Sequence, residues 1–177
     1  LAGSTIVPGT VIGFPQGGNT TAVKVAEARQ ALADGGKELD MVVNVGMLRS
    51  GQDQYVEDDI RAVVEAAEGT PVKVILEAHY LTDEQLVRGC QLAVRAGAAF
   101  VKTGTGWAPS GATLENVALM KATAGDAAQV KAAGGVRDLE TVVEMIRRGV
   151  TRFGIGLSSG EKIFQQLAEH PGATIQL

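Results

Sequence analysis

The chain alternates between short apolar runs rich in β-branched residues and longer stretches in which apolar positions recur with a helical period. The first kind of segment predicts buried β-strands, and the second predicts amphipathic α-helices. The predicted strands are Gly9–Phe14, Glu38–Val45, Val72–Glu77, Ala99–Thr103, Gln129–Ala132 and Thr151–Ile155. The predicted helices are Thr20–Asp34, Tyr55–Glu68, Asp83–Ala96, Leu114–Ala124, Leu139–Arg148 and Glu161–Glu169. A strand followed by a helix therefore repeats six times.

Residue types at the predicted helix ends support these elements. Thr82, Thr113 and Asp138 stand where a side chain can cap the first turn of a helix. The residues that suit helix ends are Gly35, Gly97, Gly125 and Gly149. Because no linker or low-complexity tract interrupts the pattern, we expect a single α/β domain over residues 1–177, built on a parallel sheet.

Two architectures fit such repeated units: an open doubly wound sheet and a closed (β/α)8 barrel, the TIM-barrel fold. The loop GFPQGGNTT after the first strand lacks both the G-x-G-x-x-G fingerprint and the P-loop lysine of nucleotide-binding sheets. Glycines concentrate instead in AAGGVRD and GIGLSSGEK, after the last two strands. Barrels often bind phosphate after strands 7 and 8, although such glycines can also serve only tight turns. We therefore expect a partial barrel in which the six units are strands 3–8 and two N-terminal units are lacking.

Composition and charge narrow the choice of partner. With 45% hydrophobic and 20% charged residues, the chain is typical of a globular domain. A net charge of -4 gives no general attraction to nucleic acid or anionic membrane, and no apolar run approaches the ~20 residues of a membrane-spanning helix. The lone Cys90 excludes an internal disulfide and leaves no Cys/His cluster for zinc, so we expect a buried core thiol there. A small molecule is the expected partner.

Two lysines end neighbouring predicted strands. FVKTGTG places Lys102, and QVKAAGGV places Lys131, directly after an apolar run. Neighbouring parallel strands lie about 4.8 Å apart, so both ammonium groups would stand at the same end of the sheet. Repulsion between them and partial loss of hydration would lower the pKa of one, giving an amine that can attack a carbonyl and form a Schiff base. The alternative is that both side chains extend from the strand ends into solvent.

Carboxylates near the strand ends are candidates for moving protons. Asp40, in KELDMVVNVG, could face the barrel interior and act as an acid or base through a water molecule, or could simply mark the start of its strand. Glu77 is a comparable candidate, with a structural role at the rim of the core as the alternative. His79 and His170 lack the partners that a catalytic triad needs, so we expect them at the surface or in loops.

Several longer segments occur in order along nearly the whole chain: GFPQG, ELDMVVNVGMLRSG, ILEAHYLTDE, FVKTGTGWAPSGAT, VKAAGGVRDLETVVEMIRRG, and TRFG followed by SSG. Together they resemble deoxyribose-phosphate aldolase, a family of class I aldolases. The resemblance implies a (β/α)8 barrel, no metal or organic cofactor, and reversible cleavage of 2-deoxy-D-ribose 5-phosphate into D-glyceraldehyde 3-phosphate and acetaldehyde. It also implies a cytoplasmic enzyme of deoxyribose phosphate catabolism whose partners are a phosphosugar and an aldehyde, and it leaves room for a homo-oligomer.

Position by position, the resemblance assigns the Schiff base to Lys102, the lowering of its pKa to Lys131, and proton relay to Asp40. The residues that it implies for phosphate binding are Gly134, Gly135, Val136, Arg137, Gly156, Ser158 and Ser159. The chain departs from the family pattern in the N-terminal strands, which have no counterpart here. It also departs at Gly104, where serine is common, in the last loop, which is two residues longer, and at the C-terminal tyrosine of some members.

Two other functions remain open from the sequence. One is a different Schiff-base sugar-phosphate aldolase, which would share the lysine pair and the phosphate loops but use another donor. The other is a non-catalytic barrel fragment, because six units leave two strand edges where a barrel would close.

Overall fold

A computed structural model describes residues 3–170. The strands are β1 (Gly9–Ile12), β2 (Glu38–Val42), β3 (Val72–Ile75), β4 (Phe100–Lys102), β5 (Gln129–Ala133) and β6 (Val150–Gly154). The helices are α1 (Thr21–Ala33), α2 (Val45–Arg49), α3 (Asp53–Ala66), α4 (Asp83–Arg95), α5 (Leu114–Ala124), α6 (Leu139–Arg147) and α7 (Leu157–Glu169). Every predicted strand and helix is present in this part of the chain, and α2 is an addition that the sequence pattern did not predict.

The strands form one parallel sheet in the order β1-β2-β3-β4-β5-β6. A doubly wound sheet reverses its strand order at a switch point, so this strictly sequential order favours the barrel architecture. The sheet is also curled. Arg152 on β6 donates a hydrogen bond of 3.0 Å to Glu38 on β2, although these strands would lie about 19 Å apart in a flat sheet. The fold is an α/β half-barrel of the TIM-barrel class with six βα units.

The two faces of the sheet differ in chemistry. Leu39, Val74 and Val101 are fully buried members of the hydrophobic core, which lies between the sheet and the helices. Because side chains alternate along a strand, Asp40 and Lys73 point to the opposite, concave face. The inner strands are buried on both faces, as parallel strands usually are. The strand sequences are therefore nearly continuous apolar runs, and their few charged side chains point to the concave face of the sheet.

Two element boundaries differ from the predicted ones for local reasons. The second strand stops at Val42, earlier than the predicted Val45, because the Asn44 side chain accepts a hydrogen bond from the Met47 N–H and starts α2. Helix α7 begins at Leu157, four residues before the predicted Glu161. Serine and glycine in LSSG are typical of a loop, yet here they form the first turn of the helix.

The predicted caps are confirmed. Thr82 and Thr113 each accept a hydrogen bond from the third helical residue and complete a capping box, and Asp138 caps α6 through the Thr141 N–H. The four glycines predicted at helix ends all have positive φ, a conformation that other residues rarely adopt: Gly35, Gly97, Gly125 and Gly149.

Cys90 is fully buried in α4, and burial raises the pKa of its thiol to about 12, which confirms the predicted core thiol. Among residues 3–170, no helix is both long enough and apolar enough to cross a lipid bilayer.

Candidate active site

The predicted lysine pair and Asp40 meet on the concave face of the sheet. Lys102 and Lys131 are register partners on β4 and β5, as their positions in the sequence suggested. Both lysines donate to the same oxygen of Asp40: Lys102 Nζ lies 2.7 Å and Lys131 Nζ 2.6 Å from Asp40 Oδ2. Because the three side chains are largely buried, the predicted alternative of two lysines extending into solvent is wrong.

A third lysine, which the sequence analysis missed, completes the surroundings of Asp40. Lys73 on β3 is fully buried, and its Nζ lies 3.0 Å from Asp40 Oδ1 and 2.8 Å from Glu38 Oε2. Glu38 is held in turn by two nitrogens of the Arg152 guanidinium. A signal for Lys73 was present in the sequence, since a lysine inside the apolar run VKVI must point to one face of its strand.

Charge and burial together determine the protonation of this cluster. Burial raises the pKa of Asp40, but the ammonium groups of Lys102 and Lys131 outweigh it and lower the pKa from 3.8 to about 2. For Lys102, burial is the largest effect and lowers the pKa; Asp40 opposes this, and Lys131 and Lys73 lower the pKa further. The expected direction for Lys102 is confirmed, although loss of hydration contributes more than the repulsion between lysines.

A cavity of about 460 Å³ opens beside Lys102, at the carboxyl ends of β4, β5 and β6. Lys102, the loop after β4 at Thr105 and Gly106, and the two glycine-rich loops form its wall. Six of the seven predicted phosphate-binding residues line the cavity: Gly134, Gly135, Val136, Arg137, Gly156 and Ser159. Ser158 is not among the lining residues, because successive side chains in the first turn of α7 diverge by about 100° and it is Ser159 that borders the cavity. The candidate nucleophile and the loops predicted to bind phosphate therefore share one cavity.

The two loops have features that suit an anion. Gly134 and Gly135 both have positive φ, which only glycine adopts easily. Gly156 precedes α7 and has no side chain to cap it, so the first-turn N–H groups and the positive end of the helix dipole are left for an anion. The exposed guanidinium of Arg137 stands at the same cavity. Together these groups can bind a phosphate through charge-assisted hydrogen bonds.

Close backbone contacts fix the position of the β5–α6 loop. The Ala112 N–H donates to the Gly134 carbonyl oxygen at 2.7 Å, which joins this loop to the segment before α5. A Cβ atom on Gly111 would lie only 2.4 Å from the same oxygen, so no larger residue fits there without moving the backbone. The cavity wall is therefore built before any ligand arrives.

Glu77 serves the structure of the rim. It follows β3 with a φ of 54°, and its carboxylate accepts hydrogen bonds from the Thr105 N–H at 3.1 Å and the Thr105 hydroxyl at 2.5 Å. Both oxygens thus hold the loop after β4 near Lys102, which matches the structural alternative rather than proton transfer. His79 and His170 are exposed, as predicted.

The fold and the site define a class of protein: a TIM-barrel-type enzyme with a buried lysine beside a carboxylate and a cavity bordered by two glycine-rich loops. The family model described as DeoC/LacD family aldolase matches residues 5–166. A curated deoxyribose-phosphate aldolase from Sinorhizobium medicae is 49% identical over 99% of this chain and 70% of its own length. The chain therefore belongs to the DeoC/LacD family of aldolases and is a lyase.

Solved structures agree with this assignment. An aldolase called QR15 superposes with a TM-score of 0.88 and 40% identity, over 95% of this chain and 75% of its own. A deoxyribose phosphate aldolase from Aeropyrum pernix, described as tetrameric, gives a TM-score of 0.81 and 33% identity over 91% of this chain and 68% of its own. The chain thus spans about 70% of the length of these relatives.

Proposed function

We propose that this chain is a class I aldolase that reversibly cleaves 2-deoxy-D-ribose 5-phosphate into acetaldehyde and D-glyceraldehyde 3-phosphate. The observation that carries the proposal is the buried Lys102 amine, 2.7 Å from Asp40 Oδ2, at a cavity that two glycine-rich loops also line. Relatives that are about half identical to this chain and carry the name deoxyribose-phosphate aldolase support the choice of substrate.

In the first step, the neutral Lys102 amine attacks the C1 aldehyde of the open-chain sugar. The resulting carbinolamine loses water and leaves a protonated imine between Nζ and C1. Burial and the neighbouring ammonium groups lower the pKa of Lys102, so the reactive free amine is more abundant than it would be in solution.

In the second step, the protonated imine accepts the electron pair of the C2–C3 bond, which is the bond between the α and β carbons. A base removes the proton of the C3 hydroxyl, D-glyceraldehyde 3-phosphate leaves, and an enamine remains on Lys102. Protonation at C2 and hydrolysis of the imine then release acetaldehyde and restore the amine. Asp40 is ionised at neutral pH and shares one oxygen with the Lys131 ammonium, so this pair, with water, can accept and return the protons.

The phosphate group would occupy the cavity wall formed by the two glycine-rich loops. Backbone N–H groups near Gly134 and Gly156, together with Arg137 and Ser159, would hold it through charge-assisted hydrogen bonds. This arrangement fixes one end of the sugar while C1 meets Lys102. The distance between anchor and nucleophile then selects a short phosphorylated aldehyde.

Trapping the imine tests the nucleophile. Incubation with acetaldehyde and borohydride should add one ethyl group to Lys102, measured by peptide mass spectrometry. Lys102→Arg is the matched control, because it keeps a positive charge near Asp40 but cannot form the imine, and it should lose both label and aldol cleavage. An active wild-type preparation that carries no label at Lys102 would contradict the assignment.

Charge reversal in the anion site tests the phosphate anchor. Ser159→Asp should raise the KM for 2-deoxy-D-ribose 5-phosphate by about 10- to 100-fold, because interactions of ~1.5–3 kcal/mol are lost. The KM for unphosphorylated deoxyribose should change by no more than about twofold. Equal losses on both substrates would mean that the loops serve only as turns.

Four further expectations belong to this proposal. The tetramer described for the Aeropyrum pernix relative supports self-association of this chain. A cytoplasmic location and a role in deoxyribose phosphate catabolism follow from the resemblance alone and stay predictions. The assignment of residues 1–177 to a single aldolase barrel domain also stays a prediction.

A further inference from the structure

Lys73 occupies a position that the proposed reaction does not use. It lies on β3 opposite Asp40 on β2, and its fully buried ammonium group bridges the Asp40 and Glu38 carboxylates. It is not among the residues that line the cavity beside Lys102. On the other side it pairs with Phe100, two residues before Lys102, which places it one pleat deeper along the sheet. Lys73 therefore lies behind the groups proposed to react, and it reaches them only through Asp40.

The two oxygens of Asp40 have separate partners. Oδ1 accepts from Lys73, whereas Oδ2 accepts from both Lys102 and Lys131. A carboxylate held only at Oδ2 could rotate about its χ2 torsion, which is a soft torsion for aspartate. The bond to Lys73 removes this freedom and directs one oxygen to both lysines.

Lys73 is itself held in place. Glu38 accepts from Lys73 at 2.8 Å and is fixed from β6 by the Arg152 guanidinium, at 3.0 Å and 2.9 Å. The Lys73 ammonium and the Arg152 guanidinium also lie within 6 Å of the Phe100 ring centroid, where cation–π attraction adds to their restraint. The chain of contacts from Arg152 through Glu38 to Lys73 thus ends on Asp40.

We propose that Lys73 is a positioning residue of the reaction: it holds Asp40 Oδ1 so that Oδ2 stays in contact with Lys102 and Lys131. The inference rests on the proposed function, because it concerns the carboxylate assigned to proton transfer. Burying an ammonium group is costly, and an apolar side chain would fill the same space at lower cost. The gain that offsets this cost is the fixed direction of Asp40, since an error of about 1 Å at a reacting group can lower a rate about 100-fold.

Lys73→Met tests this role, because methionine keeps an unbranched side chain of similar length and removes the charge. We expect kcat for sugar-phosphate cleavage to fall about 10- to 100-fold while the KM stays within about threefold, since the phosphate loops are untouched. A partial reaction isolates the proton step: exchange of the acetaldehyde methyl hydrogens with D2O, followed by NMR. That exchange should slow about as much as kcat, while borohydride trapping of acetaldehyde on Lys102 remains complete after long incubation.

Lys24→Met is the matched control. Lys24 is also fully buried and donates to one aspartate, Asp59, at 2.6 Å, but it does not contact Asp40. Its loss should lower the urea midpoint of unfolding and leave the kcat and the exchange rate of the folded enzyme within about twofold. If Lys73→Met does not fold, Glu38→Gln gives the second variant: weakening the hold on Lys73 should lower kcat and exchange about 3- to 10-fold.

The outcomes separate the two proposals. If acetaldehyde is trapped on wild-type Lys102 but Lys73→Met and Glu38→Gln exchange and turn over like the wild type, the positioning role is overturned and the aldolase proposal stands. If the Lys73 variant loses activity only in proportion to its unfolded fraction, as the Lys24 variant does, Lys73 is structural and the inference is again overturned. If wild-type Lys102 is not trapped, the proposed function fails and the inference falls with it.

Discussion

Two buried lysine–aspartate centres flank the same strand, β2, and they differ in their balance of charge. On the helix side, Lys24 of α1 donates to Asp59 of α3 at 2.6 Å and to the Val42 carbonyl at 3.1 Å, and Thr21 donates to the other aspartate oxygen. On the concave side, the single carboxylate of Asp40 forms ion pairs with three lysine side chains. The first centre is a closed ion pair, whereas the second contains more cations than anions.

The difference shows how one fold can place one lysine in a balanced ion pair and another in a site with excess positive charge. On the helix side, the one ammonium group, that of Lys24, has its own carboxylate in Asp59, so the two charges balance. On the concave side, Glu38 and Asp40 face four cationic side chains: Lys73, Lys102, Lys131 and Arg152. Loss of the Lys102 proton relieves this excess of positive charge. Burial and the neighbouring cations accordingly lower the pKa of Lys102, which borders the cavity.

Exchanging the two carboxylates for amides should separate the centres most sharply. Asp59→Asn leaves Lys24 without its counter-charge, and we expect a loss of about 3–5 kcal/mol in the free energy of unfolding, with the activity of the folded enzyme nearly unchanged. Asp40→Asn should lower kcat by about 100- to 10,000-fold, because the carboxylate proposed to move protons is lost. Urea unfolding and steady-state kinetics on both variants make the comparison.

The stability cost of Asp40→Asn should be the smaller of the two. Lys73 keeps Glu38 as a partner, and Lys102, whose pKa is lowered, borders the cavity and can lose its proton to solvent there. An Asp59 variant that is stable but inactive, or an Asp40 variant that is fully active, would contradict the assignment of the Lys24–Asp59 pair to stability and of the Asp40 cluster to the reaction.

A smaller effect is expected when one cation is removed from the crowded centre. Lys131→Leu takes away a positive charge that helps to lower the pKa of Lys102, so that pKa should rise. The acidic limb of log(kcat/KM) against pH should move upward, with a loss of about tenfold at neutral pH for each unit of movement and partial recovery at high pH. A uniform loss at every pH would assign Lys131 to proton donation alone.

The smallest effect concerns stability in acid. The pKa of Asp40 is lowered from 3.8 to about 2 on folding, so its ionised form stabilises the fold above about pH 4, and this contribution is lost as the pH falls through 2. A shift of this size corresponds to about 2 kcal/mol. Between pH 5 and pH 2.5, the wild type should therefore lose more stability than Asp40→Asn, measured by urea unfolding. Parallel decline of both proteins would contradict the lowered pKa.

The sequence was sufficient to predict much of this centre. Lys102 and Lys131 were predicted as neighbours because each ends an apolar run that is followed by glycine, and the ends of adjacent parallel strands meet. Asp40 could be placed on a strand, but the sequence did not decide between an interior position and the start of a strand. Only the successive registers of β2 with β3, β3 with β4 and β4 with β5, in a curled sheet, bring its carboxylate to both lysines.

The remaining contacts depend on the curvature of the sheet and on the path of the helices. Glu38 and Arg152 are 114 residues apart, and only a curled sheet brings their side chains together. The pairing of Lys24 with Asp59 requires the packing of α1 against α3, which a periodic pattern does not specify. Lys73 was overlooked because a lysine within a short strand is usually exposed, and the alternation of β3 alone does not show which face is enclosed.

The sequential strand order also sets an order of assembly. Because each strand pairs with the next one along the chain, the ladder can grow during synthesis from the N-terminal side. Asp40, Lys73, Lys102 and Lys131 lie on β2, β3, β4 and β5, so this charged cluster is complete as soon as β5 docks. The first turn of α7, on the far side of the cavity, emerges only later. A nascent chain should therefore acquire its nucleophile and its counter-ion before it acquires the helix end that would hold a phosphate.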